Sequence, residues 1–339
     1  MTKKLMSMLA VVLLCVSQAS AGENVVNIFT ARHYESDKQL YEEFKNITGI
    51  TVNVVSGKAP ELIERIKREG ENTQADLFIT VDGGILGTAK KAGVLQPIQT
   101  PAIDERVPSH LRDPEYHWLG LSTRCRIIVY SKDRVNPSEL STYAALADPK
   151  WKGKVLVRSS SGLYDQSLLA SLIILDGTEK AEQWAAGIVA NLARDPQGND
   201  RDQAKAIAAG KGDVAIMNTY YFGQMLNSKD PEEVKVAQNT GLFFPDQDGN
   251  GTHVNISGVG LTKHAKNRDN AIRFIEFLLD VPAQEKISAG NYEFPVNPKA
   301  KKYALLESWG DFKTQRIDFN RLGDENPEAV RIFSKVGWK

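Results

Sequence analysis

The sequence predicts an α/β protein in two lobes, and three observations carry that prediction. Short apolar runs alternate with helical stripes from Val25 to Gly93. The same alternation starts again near Ser138. Near Phe243 to Gly260 the chain returns to strand-like sequence that would rejoin the first sheet. Repeated strand–helix–strand order implies a parallel sheet with right-handed crossovers. A length of 339 residues also favours two domains over one.

Each element has its own signal. Val25 to Thr30 alternates and reads as the first strand, followed by the loop Arg32-His33-Tyr34. Ser36 with Gln39 fits a capping box. Leu40, Tyr41, Phe44 and Ile47 then form a helical stripe, and Thr48-Gly49 ends it. Ile50 to Val55 is the second strand, and Leu62, Ile63 and Ile66 mark the next helix. Asp76 to Thr80 is a continuous apolar run of the buried parallel kind. Gly83 to Gly93 is a short helix. Pro97 to Trp118 is irregular. Leu119 to Tyr130 reads as extended, broken at Ser122-Thr123-Arg124, and is the expected first crossing between lobes.

The second pattern runs through a helix from Ser138 to Ala147, a strand Lys154 to Val157 and a polar loop Arg158 to Gly162. Tyr164 opens the helix carrying Leu168, Leu169, Leu172 and Ile173. Trp184, Ile188 and Leu192 stripe another, and Asp200 to Ala209 a third. Val214 to Met217 is a buried strand that stops at Asn218 and opens into a helix at Tyr220-Tyr221. Val259-Gly260-Leu261 rejoins the first sheet. Ala271 to Leu279 is amphipathic, and Pro282 starts another helix. The expected division is 22–121 with 247–300 as the N-terminal lobe, and 122–246 with 301–339 as the C-terminal lobe. Two lobes joined by two strands suit closure over a ligand.

Residues 1–21 read as a secretory signal. Lys3 and Lys4 precede the apolar run Leu9 to Val16, and Ala19-Ser20-Ala21 is an A-x-A cleavage site. The mature chain is expected to start at Gly22. Leu14 disfavours a lipid anchor on Cys15. The apolar run is too short to span a bilayer, so no stable membrane anchor is expected. Lysines and arginines total 42, as do the acidic residues, so nothing suggests a nucleic-acid partner. Losing the signal leaves Cys125 as the one cysteine. It reads as a packed thiol despite its neighbours Arg124 and Arg126.

No C-x-x-C, H-E-x-x-H, G-x-S-x-G or P-loop occurs, and the histidines at 33, 110, 117, 253 and 264 are scattered. No catalytic pair is expected, and hence no enzyme. Asp246-Gln-Asp248-Gly-Asn250-Gly251 matches half of an EF-hand loop, but Ser257 stands where the bidentate glutamate belongs, so it reads as a turn. The tyrosines are more informative. Tyr34, Tyr164, Tyr220 and Tyr221 all stand at predicted loop-to-helix junctions, where open α/β sheets bind ligands. Taken singly, each reads first as a half-buried packing tyrosine with a bonded hydroxyl. Their shared place at the cleft side weakens that reading for the group.

The motifs Thr30-Ala-Arg-His-Tyr34, Asp76-Leu-Phe-Ile-Thr80, Gly120-Leu-Ser-Thr-Arg124, Ser160-Ser-Gly-Leu-Tyr164 and Asn218-Thr-Tyr-Tyr221 resemble the periplasmic ferric-iron-binding proteins of ABC importers. That family has the two-lobed, type II periplasmic-binding-protein fold. The resemblance covers essentially the whole mature chain and is to the tyrosine-rich, cyanobacterial-type subgroup. It implies Fe³⁺ as the transported ligand, held by Tyr34, Tyr164, Tyr220 and Tyr221. His33 matches a histidine that ligates in some members and stands off in others. The better-known branch uses a carboxylate, a histidine, two tyrosines and phosphate. Tyr34 departs from that pattern, leaving open whether carbonate or water completes the shell. The resemblance further implies a periplasmic monomer that delivers iron to a membrane ABC permease. Fe³⁺ suits anionic oxygen, and four phenolates would leave one net negative charge, which Arg32 or Arg124 could offset. The alternative is a protein of the same fold for a small organic solute such as a polyamine, thiamine or a sugar phosphate.

Overall fold

The computed structural model describes residues 24–32 and 34–339. The expected signal over 1–21, the start at Gly22, Cys15 and His33 lie outside the described residues. The first part of the chain runs β1 (Val25–Thr30), α1 (Ser36–Thr48), β2 (Thr51–Ser56), α2 (Ala59–Glu69), β3 (Leu77–Thr80), α3 (Gly83–Lys91), β4 (Leu95–Gln96) and α4 (Pro101–Arg106). A long strand β5 (Leu119–Ser131) leads to β6 (Val155–Leu156), α5 (Leu163–Asp176), α6 (Thr178–Ala190), α7 (Asp200–Ala208), β7 (Val214–Asn218) and α8 (Thr219–Leu226). Then come α9 (Pro231–Asn239), β8 (Thr240–Phe243), β9 (Val254–Thr262), α10 (Arg268–Leu278), α11 (Val281–Asn291), β10 (Phe294–Pro295), α12 (Ala304–Ser308) and α13 (Phe319–Val336).

The strand order is β2-β1-β3-β9-β5-β7-β6. β1 pairs in parallel with β2 and β3, as the alternating pattern requires, while β3 meets β9 antiparallel. β5 changes partners along its length. Its first half, to Cys125, pairs with β9, and Ser122 and Thr123 also pair with β10. From Arg126 onward it pairs with β7, and from Ile128 also with β8. The expected break at Ser122-Thr123-Arg124 is not there, and the strand is continuous. These polar residues find buried partners, Ser122 and Arg124 both on Glu293. The irregularity is confined to a register shift between Gly120 and Ser122.

Two other local expectations fail. The helix expected over 138–147 is only short 3₁₀ turns at Pro137–Glu139 and Ala144–Ala147. The capping box at Ser36 does not form, because Glu35 occupies the cap and Ser36 is already helical. A turn begins earlier, with Asp37 N–H donating to the Tyr34 carbonyl at 3.1 Å. Cys125 is buried as expected, and burial raises its thiol pKa. The EF-hand-like stretch is a turn, with Asp246 at φ 63° and its carboxylate accepting from Tyr143 N–H at 3.1 Å. Helix α13 packs on both α3 and α5. Among the described residues no helix is long and apolar enough to cross a membrane.

Candidate metal centre

The site is built where strands β1 and β7 end and helices α5 and α8 begin. β1 delivers Arg32 and Tyr34. Arg32 is turned inward because its N–H donates to the Thr30 hydroxyl at 2.9 Å. α5 carries Tyr164 in its first turn, and β7 ends at Asn218 so that Tyr220 and Tyr221 fall in the first turn of α8. Tyr220 is fully buried, and the other three tyrosines are partly exposed.

The four phenols come together. The Tyr220 hydroxyl donates to that of Tyr164 at 3.1 Å. The Tyr34 ring meets Tyr220 edge-on at 5.8 Å, and Tyr221 lies 4.2 Å from Tyr220. Tyr34, Tyr220 and Tyr221 share a cavity of about 390 Å³ with Arg201, Gln224 and Asn291. Among the described residues no three His, Cys, Asp or Glu are grouped to hold a metal, so phenol oxygen is the donor type on offer.

Guanidinium groups surround the rings. Arg32 lies 4.3 Å over Tyr34, Arg158 5.4 Å over Tyr164 and Arg201 5.7 Å over Tyr221, within cation–π range. The two arginines singled out from sequence differ in their engagement. Arg32 binds Asp37 at 2.8 Å and Glu293 at 2.7 Å. Arg124 reaches Glu293 at 3.1 Å and Ser257 at 2.7 Å through Nη2, and among the described residues its Nε and Nη1 have no hydrogen-bond partner. Arg124 is therefore the one with donors to spare.

Burial raises the pKa of the Tyr34, Tyr164 and Tyr220 phenols above that of an ordinary phenol. At Tyr34, Glu293 pushes the same way while Arg124 and Arg32 oppose it. Burial alone would lower the Arg124 pKa, but Glu293 and the phenols Tyr34, Tyr164 and Tyr220 hold it above the ordinary value. These phenols are therefore neutral until a strong Lewis acid displaces their protons. A small, hard, highly charged cation does this best, since it repays ionisation of several buried oxygens at once.

A second buried cluster supports the tyrosines from below. Arg126 binds Asp200 at 2.8 Å and also Asp165, the residue after Tyr164. Asp200 accepts from Asn218 N–H at 2.7 Å and from Arg158 at 3.1 Å. It thus ties the turn before Tyr220 to the helix bearing Tyr164. Sequence reading missed Glu293, Asp200 and Asp165. The one local hint for Glu293 is a carboxylate set between Tyr292 and Phe294-Pro295, where a solvated acid is out of place.

Comparison with known proteins follows the same direction. The bacterial extracellular solute-binding protein family matches residues 72–319. Iron uptake protein A1 of Synechocystis sp. is 46% identical over 324 residues, 96% of this chain and 90% of that protein. A solved structure of Trichodesmium IdiA (FutA) in complex with iron and citrate ligands is 48% identical, with a TM-score of 0.89 over 93% of this chain and 100% of that one. The ferric binding protein from Campylobacter jejuni is 41% identical, with a TM-score of 0.88 over the same 93% and 100%. These likenesses make the fold the two-lobed α/β fold of type II periplasmic binding proteins. The chain belongs to the bacterial extracellular solute-binding protein family.

Proposed function

We propose that this chain binds ferric iron through the phenolates of Tyr34, Tyr164, Tyr220 and Tyr221, and hands it to a membrane ABC permease from the periplasm. The observation that carries this reading is the convergence of four phenols beside a buried guanidinium with spare donors. The iron-related names of the Synechocystis, Trichodesmium and Campylobacter relatives support the choice of cargo.

Fe³⁺ with four phenolates carries one net negative charge, and in this reading Arg124 offers its unfilled donors to the phenolate oxygens. The charges of Arg32 and Arg124 are themselves balanced by Asp37 and Glu293. Carbonate or water would fill any remaining position. His33, next to Tyr34, is an optional further ligand. The lobes are taken as 22–121 with 247–300, and 122–246 with 301–339, so Tyr34 closes onto three tyrosines of the other lobe. Because α13 packs on both α3 and α5, the last of these segments spans the seam between lobes. The chain acts as a monomer and catalyses no reaction.

Ferric iron supplied as a weak chelate to the purified apo-protein should give a visible phenolate-to-iron charge-transfer band. No band, or a band that survives in a Tyr220→Phe/Tyr221→Phe double variant, would falsify the reading.

A further inference from the structure

Glu293 is the carboxylate on which the two arginines of the site converge. It lies between α11 and β10 and is fully buried. Its oxygens are divided between them. Oε2 accepts from Arg32 Nη1 at 2.7 Å and from the Ser122 hydroxyl at 3.0 Å. Oε1 stands 3.1 Å from Arg124 Nη2 and accepts from the Ser257 hydroxyl at 3.3 Å. Ser122 and Ser257 are register partners on β5 and β9. The carboxylate is therefore pinned to the paired strands in the middle of the sheet.

The two arginines depend on it unequally. Arg32 has a second carboxylate, Asp37. Among the described residues Arg124 has only Glu293 and the Ser257 hydroxyl, and both take Nη2. A guanidinium is a planar, rigid fork, so fixing one nitrogen fixes where its other edge lies. That other edge, Nε and Nη1, has no hydrogen-bond partner among the described residues. Cys125 N–H donates to the Thr219 hydroxyl at 3.2 Å, which sets Arg124 beside the turn carrying Tyr220, and the phenols of Tyr34, Tyr164 and Tyr220 all act on its charge. A neutral phenol gives such donors little. A phenolate is the acceptor they lack.

We propose that Glu293 is a positioning residue for the metal centre: it holds Arg124 by Nη2 so that Nε and Nη1 are presented to the phenolate oxygens of the loaded protein. The proposal rests on the ferric reading above. It gives a buried glutamate that touches no ligand a defined effect on how iron is held.

The test uses the full chain loaded with ferric iron and the variant Glu293→Gln. Both oxygens serve an arginine, so an amide must set its NH₂ against Arg32 or Arg124. E293Q should release iron to excess chelator roughly tenfold faster than wild type, the loss of one charge-assisted hydrogen bond. Its charge-transfer band should move to longer wavelength, because a phenolate that loses a donor is a better electron donor. In an Arg124→Gln background the effect of E293Q on both quantities should shrink to the smaller part that passes through Arg32 and Tyr34, as two residues acting through one contact are not additive. Glu293→Asp keeps the charge but withdraws it by a methylene, and it carries the same expectation if E293Q folds poorly. Effects of equal size with and without Arg124 overturn the proposal, as do variants with wild-type band and release rate. A wild-type chain with no band overturns the ferric reading and this proposal together, so the two failures are distinct.

Discussion

The Tyr220 hydroxyl donates to the Tyr164 hydroxyl across 3.1 Å, joining the first turn of α8 to the first turn of α5. Packing tyrosines and ligand tyrosines differ in what their loss costs. As a packing contact, this bond is worth about 1 kcal/mol to the apo-protein. As ligands, Tyr164→Phe and Tyr220→Phe should each weaken iron retention by about tenfold or more while lowering apo stability only by about that 1 kcal/mol. Chelator-driven release and urea unfolding of the same variants separate the two roles. Equal losses in both would mean packing.

Proton release is the second expectation. Tyr34, Tyr164 and Tyr220 are held above the ordinary phenol value, chiefly by burial, so all three are protonated in the apo-protein at neutral pH. Each phenol that ligates must lose its proton. Affinity should therefore fall as pH falls, by roughly tenfold per pH unit for each proton released. Adding ferric chelate to weakly buffered apo-protein should release one proton per phenol engaged, after correction for the chelate's own uptake. A pH-independent affinity would exclude phenolate ligation.

How much of this was legible in the chain depends on how local the signal is. β1, the start of α5 and the β7–α8 turn were readable because apolar strands and helix openings are written in consecutive residues. The tyrosines inherited that clarity, since each sits at such a junction. Glu293 did not, because its meaning is distributed over Arg32, Ser122, Arg124 and Ser257, all remote in sequence. The same partners explain the misread break in β5, where Ser122 and Arg124 look like loop residues until the buried carboxylate is known. The capping box at Ser36 failed for a related reason. Asp37 is drawn inward onto Arg32 at 2.8 Å, and the turn that starts at Tyr34 makes Ser36 helical.

His253 should shape the acid limb of stability. It is fully buried beside Gln315, at 3.0 Å, and its pKa is pushed down to about 4, first by burial and then by Arg126 and Arg124. The unfolded chain binds a proton near pH 6.5, while the native chain does not until about pH 4. Its contribution is present above the unfolded value and is lost as pH falls through that window. Between pH 7 and pH 5 this amounts to about 2 kcal/mol. Asp165 and Asp246, both raised to about 6 mainly by burial, act with the opposite sign. The net wild-type slope is therefore a composite. The informative quantity is the difference between wild type and His253→Gln in urea unfolding, which should narrow by about 2 kcal/mol from pH 7 to pH 5. A constant difference would show that His253 does not titrate on unfolding.

The seam between α3 and α13 should be a point of high structural cost and low functional cost. A Cβ at Gly323 would stand 2.4 Å from the Gly84 carbonyl oxygen, and one at Gly87 2.8 Å from Asn320 Cα. Both contacts are with backbone, so no side chain can swing aside. Gly323→Ala must push the helices apart, at a cost of about 1–3 kcal/mol for overpacking. None of the four tyrosines lies on either helix. Gly323→Ala should therefore unfold at lower urea concentration yet show an unchanged charge-transfer band when loaded with iron. Loss of the band with little loss of stability would reverse this, and would mean that the seam sets the approach of Tyr34 to the other tyrosines.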